Sequence, residues 1–316
     1  MEKYVIIFDK TNKPLLILPF YFNNNTLYAI SNYYTANFQP LFANNLNIKE
    51  IYDITEYFIK SYLIKNNIHY LTLSPVNIEV KEITSFVDCL KAHHFSIKTD
   101  HLFVNWFHKL NLNNYYDNLN TYEQYFQQRP SKLQNTIKRK TKQLRKTESH
   151  HLQIHTSYDD IKAQLSNYDT IYQKSWKPDE YSYQFIHDLM LTFAQQNKTR
   201  LGIAMINNEP AAAQFWLVHN QEALIVKLAH DPKFQNLSIG TILTNAMFQY
   251  VIEIDQVHKI DFLTGNDSYK KDWMTEQQDF YSVTAYNNKT IKGLALSLKY
   301  QAKTNIKKWM SYHFSN

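Results

Sequence analysis

The sequence predicts an α/β protein of the α+β kind, with mixed, mostly antiparallel central sheets flanked by helices, in two domains. Three observations carry that expectation. Between Arg200 and Trp273, three short apolar runs separated by polar turns lead into a helix and then a further strand. A comparable succession of strands and helices precedes residue 110. Between them lies an Asn-rich connector, Asn111 to Thr121, which is the natural boundary, so the expected domains are 1–115 and 116–316.

Taken in order, Val5–Phe8 and Leu15–Leu18 flank a polar turn and read as a hairpin, with Leu27–Ile30 as a third strand. Ile48 to Ile64 reads as a helix because Ile51, Ile54, Phe58 and Leu63 fall near one face. His69–Leu73 is a strand expected to end at Ser74-Pro75, Glu79 to His93 a second helix, and Leu102–Phe107 a further strand.

From Arg129 to Lys146 the chain has eight Lys and Arg and no acid, so a chain that is formally +6 overall is −2 without this stretch. Its basicity is therefore one local device. Leu133, Ile137 and Leu144 keep an apolar seam, which makes this an amphipathic helix with a cationic outer face. That face is open to three readings: a solvated surface, a landing site for a polyanion, or a clamp for the phosphates of a donor or acceptor. Tyr115, Tyr116, Tyr122 and Tyr125 lie upstream, but no nucleic-acid motif accompanies them, and a nucleic-acid partner is not expected.

His151–His155 follows as a strand, then helices over Tyr158–Trp176 and Tyr183–Gln195. Leu201–Ile206, Ala211–Val218 and Ala223–Ala229 form the three-strand meander. After a polar loop from His230 to Leu237, Ser238 to Thr241 opens a helix with Ile242, Ala246, Tyr250 and Ile254 at helical spacing. Lys259–Leu263 is a short strand running into Thr264–Trp273. Phe280–Val283 is expected to close this sheet as its last strand. The final helix, Thr290 to His313, should carry Lys299, Lys303, Lys307 and Lys308 as an exposed stripe.

Composition sets the outer bounds. At 316 residues and 44% hydrophobic the chain can bury a sizeable core. One cysteine excludes an intramolecular disulfide framework and suits a reducing compartment. Cys89 shares a helix face with Ile83, Phe86, Val87 and Leu90, so burial is expected for it. The first residues are too short and charged for a secretory core, and no apolar run reaches the ~18 residues of a membrane span. A cytoplasmic protein is expected. The pairs His93-His94 and His150-His151 lack a third partner at ligand spacing, and no metal site is expected.

Ser175-Trp-Lys177, Lys227-Leu-Ala-His-Asp231, Ser238-Ile-Gly-Thr241 and the run Asp261 to Lys270 stand in the order and spacing of a known family. Through them the chain resembles the GNAT acetyltransferase superfamily, and within it the CelD-like branch, related to the tandem-GNAT Fem-type aminoacyl transferases. The resemblance implies two tandem GNAT-like domains, the first a degenerate copy without a phosphate-loop glycine. That copy would wall an acceptor cleft or serve only as a packing domain. The resemblance also extends to the basic helix.

It implies further an acyl-CoA donor, acetyl-CoA in the first instance, and a small-molecule or carbohydrate acceptor. A Fem-like transferase using aminoacyl-tRNA, or a non-catalytic acyl-CoA-binding member, are the alternatives. Coenzyme A carries a pyrophosphate, and a helix N-terminus offers unpaired N–H groups and a positive dipole end. Gln235, Ser238, Ile239, Gly240 and Thr241 lead into such an end, with Ser238 or Thr241 able to cap it or bond phosphate. Lys227 and Leu228, on the strand before this loop, would supply an amide to the oxyanion, and Lys270 a further donor contact.

Tyr269 occupies the place of the acid that protonates the leaving thiolate, against the reading of an exposed, solvated tyrosine. Asp261 and His230 are the other catalytic candidates, His230 equally a polar strand end. On the acceptor side stand Trp176, Glu180, Asp267 and Arg139; a half-buried Trp and a solvated loop carboxylate are the plainer readings of the first two. Ile239 stands where the branch usually has Pro, His230 where it often has Tyr, and Asn266 where it often has Asp.

Overall fold

The computed structural model describes residues 2–110, 122–146 and 149–314, with backbone alone for residue 2 and residues 307–314. In chain order its elements are β1 (Glu2–Phe8), β2 (Pro14–Asn23), β3 (Thr26–Ala29), β4 (Leu41–Phe42), α1 (Ile48–Phe58, continued by a π-type segment, Ile59–Ile64), β5 (Tyr70–Val76), α2 (Lys81–Ala92) and β6 (Phe95–Lys109). Then come α3 (Tyr122–Gln127), α4 (Ser131–Leu144), β7 (His150–His155), α5 (Tyr158–Lys174), α6 (Tyr183–Ala194), β8 (Thr199–Ile206), β9 (Glu209–His219) and β10 (Glu222–His230). A 3-10 turn (Pro232–Leu237) leads to α7 (Ile239–Glu253), β11 (Lys259–Thr264), α8 (Lys270–Trp273), β12 (Glu276–Asn287) and α9 (Ile291–Phe314). The expected connector, with Tyr115 and Tyr116, lies outside the described residues.

Contacts divide the chain into two compact units, Met1–Val104 with Gln278–Asn316, and Asn105–Gln277. The expected division at 115/116 is thus not the one along which the chain packs.

In the first unit the sheet order is β1, β2, β3, β5, β12, with β4 beside β2. β3 and β5 are parallel, with α1 as the crossover; β1–β2, β2–β3 and β5–β12 are antiparallel. β2 buries Leu16, Leu18 and Phe20, the period of two of a strand with one covered face. α1 begins at a capping box: Glu50 N–H donates to Asn47, and Asn47 N–H to the Glu50 carboxylate. Phe58 of α1 packs on Phe86 of α2, and Cys89 is fully buried beside them, its thiol pushed up to about 11 by burial.

In the second unit the order is β11, β10, β9, β8, β7, and Asn105–Lys109 of β6 pair antiparallel with β11. β8, β9 and β10 form the antiparallel meander, while β10 and β11 are parallel, with α7 crossing between them. β9 is buried on both faces: Gln214 and Trp216 face α7, and Phe215 lies beside Lys227 on the α5 face. A strand covered twice reads as one apolar run, which is why Ala211–Val218 does not alternate. α7 is itself buried around most of its girth, through Ile239, Leu243, Met247, Phe248 and Val251.

Each half of the sequence repeats one order: three antiparallel strands, a crossover helix, a parallel strand, a helix, a strand. In the first half this is β1–β2–β3–α1–β5–α2–β6, and in the second β8–β9–β10–α7–β11–α8–β12. The seventh element leaves its own repeat both times. β12 falls in the first unit, with Tyr281 opposite Val76 and Val283 opposite Leu73, and the end of β6 falls in the second, beside β11. The expectation that Phe280–Val283 closes the second sheet is corrected accordingly. Its apolar residues Phe280, Val283 and Ala285 are buried, but the strand edge they complete belongs to β5.

Candidate active site

All the candidate site residues named from the sequence lie in the second unit. Its central feature is a gap in the sheet. β10 and β11 pair only at their starts, Glu222–Leu224 against Lys259–Asp261. A bulge at Val226, between Ile225 and Lys227 in the ladder to β9, then turns β10 away. Asp231 N–H donates to Ala211 O at 2.9 Å. Opposed residues of an antiparallel ladder alternate between exchanging two hydrogen bonds and exchanging none. Ala229 and Lys227 therefore bond β9, and the amides of Leu228 and His230 point into the gap.

At the end of β10 the 3-10 turn delivers α7. Ser238 sits at φ 52°, ψ 39°, its N–H donating to Gln235 O at 2.9 Å, and its side chain does not cap the helix. Of the roles open to Ser238, capping is not the one taken here, since the left-handed backbone turns this residue out of the capping geometry. The amides of Ile239, Gly240 and Thr241 thus have no partner among the described residues. Ile239 contributes only its amide, since its side chain is fully buried; Gln235 is exposed.

One residue holding this turn was missed from sequence. Gln214 Nε2 donates to Thr244 Oγ1 at 2.6 Å and to Gly240 O at 3.3 Å, and Gln214 Oε1 accepts from Trp216 Nε1 at 3.0 Å. The available signal was a lone glutamine inside the apolar run Ala211–Val218.

His230 packs against this first turn: a Cβ on Gly240 would lie 3.1 Å from His230 Nδ1. The Trp176 ring lies 4.3 Å from the imidazole, and the indole is 51% exposed. Burial lowers the His230 pKa, opposed by Asp231, so the ring is neutral at pH 7. Lys227 reaches Glu180 Oε2 at 2.6 Å and lies over the Tyr172 ring at 5.6 Å. Glu180 is not a solvated loop carboxylate, because its side chain is fully buried against this ammonium.

Across the gap, Asp261 is buried with both oxygens engaged: Oδ1 accepts from Leu263 N–H at 2.7 Å, and Oδ2 lies 3.1 Å from Lys259 Nζ. It fixes Leu263, which adopts φ 55° at the strand end. Lys270 is 3% exposed and donates to Thr264 O at 2.6 Å and Gly265 O at 3.1 Å. Burial pushes its pKa down to about 8, opposed by Asp267. Lys270 therefore clamps the loop from inside. Gly265 at φ 103° turns that loop, Asp267 is exposed with Oδ2 3.8 Å from Lys270 Nζ, and Asn266 Oδ1 accepts from Trp106 Nε1 at 2.7 Å.

Tyr269 is not an exposed helix tyrosine. Its ring meets Phe262 edge-on at 5.7 Å, and burial holds its hydroxyl well above the usual tyrosine range. Lys177 stands near both sides of the gap: burial lowers its pKa first, with Asp267 raising and Lys227 lowering it.

α4 buries Leu133, Ile137 and Leu144 as expected. Arg129 does not join the cationic face; it turns inward, donating to Trp273 O at 2.8 Å with its guanidinium 4.5 Å from the Tyr125 ring. Lys132, Asn135, Thr136, Lys138, Arg139 and Lys142 line an open groove on the outer face. Arg139 has no hydrogen bond or ion pair to the gap residues among those described. Lys140 hydrogen-bonds the donor-side loop through the Asn236 carbonyl.

The parted parallel pair β10–β11 and the uncapped start of α7 thus stand together in the second unit. Residues 131–271 match the family model of the acetyltransferase (GNAT) domain. Among solved structures the chain is similar to FemX (TM-score 0.60, 8% identity, over 89% of this chain and 87% of that one). It is similar also to L-PGS from Bacillus licheniformis (0.53, 10%, 93% and 88%). A third likeness is to a conserved protein of unknown function from Bacteroides thetaiotaomicron (0.54, 10%, 90% and 86%). At these identities the likeness is one of fold. No curated protein sequence matches. Among the described residues no helix is long and apolar enough to cross a membrane.

Proposed function

We propose that the chain is an acyl-CoA-dependent N- or O-acyltransferase, in the first instance an acetyltransferase. It would move an acyl group from a coenzyme A thioester to a small-molecule or carbohydrate acceptor within a ternary complex. The observation that carries this reading is the parting of β10 and β11 beside the uncapped start of α7. An extended donor arm bearing amides finds there a strand edge whose own amides are unused. Its pyrophosphate finds three free N–H groups and the positive end of a buried helix.

The roles follow from position. Ser238, Ile239, Gly240 and Thr241 hold the phosphates. The Leu228 and His230 amides face the thioester carbonyl and stabilise the charge that develops on its oxygen. The acceptor amine or hydroxyl forms the new bond to carbon as the C–S bond breaks. Neutral His230, or water beside it, takes the acceptor proton, and Tyr269 gives its own to the departing sulfur. Trp176, Glu180 and Asp267 border the acceptor. Asp261 and Lys270 act through the loop they brace.

A second reading is aminoacyl transfer from a charged tRNA, favoured by the likeness to FemX and by the cationic face of α4. Mass spectrometry of the ligand that co-purifies with the full chain separates the two. Coenzyme A or its thioester supports the first, and its absence together with bound tRNA overturns it.

Acetyl-CoA at ~100 times its Kd should add about 2.7 kcal/mol of stability, read as a rise in Tm. Gly240→Asp should abolish the rise, because it sets a carboxylate at the helix mouth and against His230. An unchanged rise in this variant would move the donor elsewhere.

The groove on α4 has its own test. Arg139→Gln with Lys142→Gln and Arg145→Gln should raise the acceptor KM severalfold with donor affinity intact if α4 binds a phosphorylated acceptor. Loss of donor affinity assigns it to coenzyme A instead, and no effect on either leaves a solvated face.

A further inference from the structure

A surface helix ordinarily turns its apolar stripe to the protein and its polar face to water. α9 departs from this: beside half-buried Leu296 and Tyr300 it seats small and polar residues on the protein, and it exposes aliphatic ones on a face shared with Asn305. At 100° per residue Gly293, Ser297, Tyr300 and Thr304 share one face, and all are buried or half-buried. Ile291, Leu294, Leu298 and Ile306 share the opposite face and are 92%, 42%, 56% and 58% exposed. The orientation is fixed by contact. A Cβ on Gly293 would lie 2.2 Å from Asn287 O and 2.6 Å from His69 O, so this face of the helix sits directly on backbone. The stripe cannot roll inward without losing that seat.

Lys292, Lys299 and Lys303 are exposed and run as a row along one border of the stripe. Residues 291–314 contain no acid. The side chains of Lys307 and Lys308, expected in the same row, lie outside the described residues.

We propose that α9 docks on an anionic lipid surface, lying in the plane of the interface. Ile291, Leu294, Leu298 and Ile306 enter the acyl boundary, and the lysine row meets the headgroup phosphates. Two features choose lipid over a second copy of the chain. The stripe is bordered by cations without compensating acids, which suits a negative surface. Antiparallel pairing of two such helices would set the lysine rows against each other. A helix with this charge and no apolar span lies on a bilayer and does not cross it.

The test is co-sedimentation of the full chain with vesicles of phosphatidylglycerol and phosphatidylcholine, against vesicles of phosphatidylcholine alone. Binding is expected to the first and not the second. Leu294→Gln with Leu298→Gln, and separately Lys292→Gln with Lys299→Gln and Lys303→Gln, should each lower partitioning about tenfold or more. Circular dichroism and Tm should stay unchanged, since every altered side chain is exposed. Binding to neither vesicle, or equal binding by the leucine variant, would overturn the proposal. So would a dimer in sedimentation velocity that the leucine variant loses, which would give the stripe to a second copy.

Discussion

Tyr269→Phe should lower kcat by ~10²–10⁴-fold, the range of general acid catalysis, or about 3–5 kcal/mol. KM for acetyl-CoA should change little. The substitution removes one oxygen and keeps the ring that packs edge-on against Phe262, so folding and donor binding survive. The hydroxyl has no hydrogen-bond partner among the described residues, and burial raises its pKa, so it carries its proton throughout the neutral range. The burial that raises the phenol's pKa raises that of the forming thiol as well, so the hydroxyl can hand its proton to the departing sulfur and be reprotonated from solvent. If kcat falls less than about fivefold, below the general-acid range, Tyr269 is a packing residue and proton delivery passes to water or His230. A raised donor KM at constant kcat would make it a coenzyme A contact.

Glu180→Ala should destabilise the fold by about 3–5 kcal/mol, because it leaves the Lys227 ammonium in a buried site without its counter-charge. The side chains are 0% and 12% exposed and 2.6 Å apart. The pair is therefore not a surface bridge, whose loss would cost about 1 kcal/mol or less. Chemical denaturation measures the loss. Glu180→Leu combined with Lys227→Met should recover most of it, since replacing both partners removes the uncompensated charge. Activity need not return with stability. A double variant that is stable yet has a raised acceptor KM would give Glu180 a binding role beside its structural one. A loss under 1 kcal/mol in the single variant would mean that water reaches the pair.

Much of the fold was legible because its signals are local. The meander, the buried α7 and the amphipathic α4 follow from periodicity and turn residues, and their bounds agree with the sequence to within a few residues. The destination of β12 was not legible. Phe280, Val283 and Ala285 announce a strand, but nothing in them distinguishes a partner 20 residues away from one 200 away. The site was legible as a neighbourhood more than as chemistry. Gly240, Ser238 and Tyr269 stand about the gap, yet the gap itself arises from a bulge at Val226, which a run of apolar residues conceals. The engagement of Asp261, Glu180 and Lys270 was equally hidden, since a carboxylate or ammonium in a motif looks the same whether it faces ligand or a buried partner.

The exchange of final strands also sets an order in time. A ribosome releases β5 early, but the strand that pairs with its second edge begins at Glu276, 200 residues after Val76. At ~5–20 residues per second, that edge waits roughly 10–40 s during synthesis. Over that interval Leu71 and Leu73 lie in a sheet that no neighbouring stretch of chain can complete. The unit that is begun first is finished last, and a chain halted anywhere before residue 276 leaves the ribosome with an open sheet rather than one finished half.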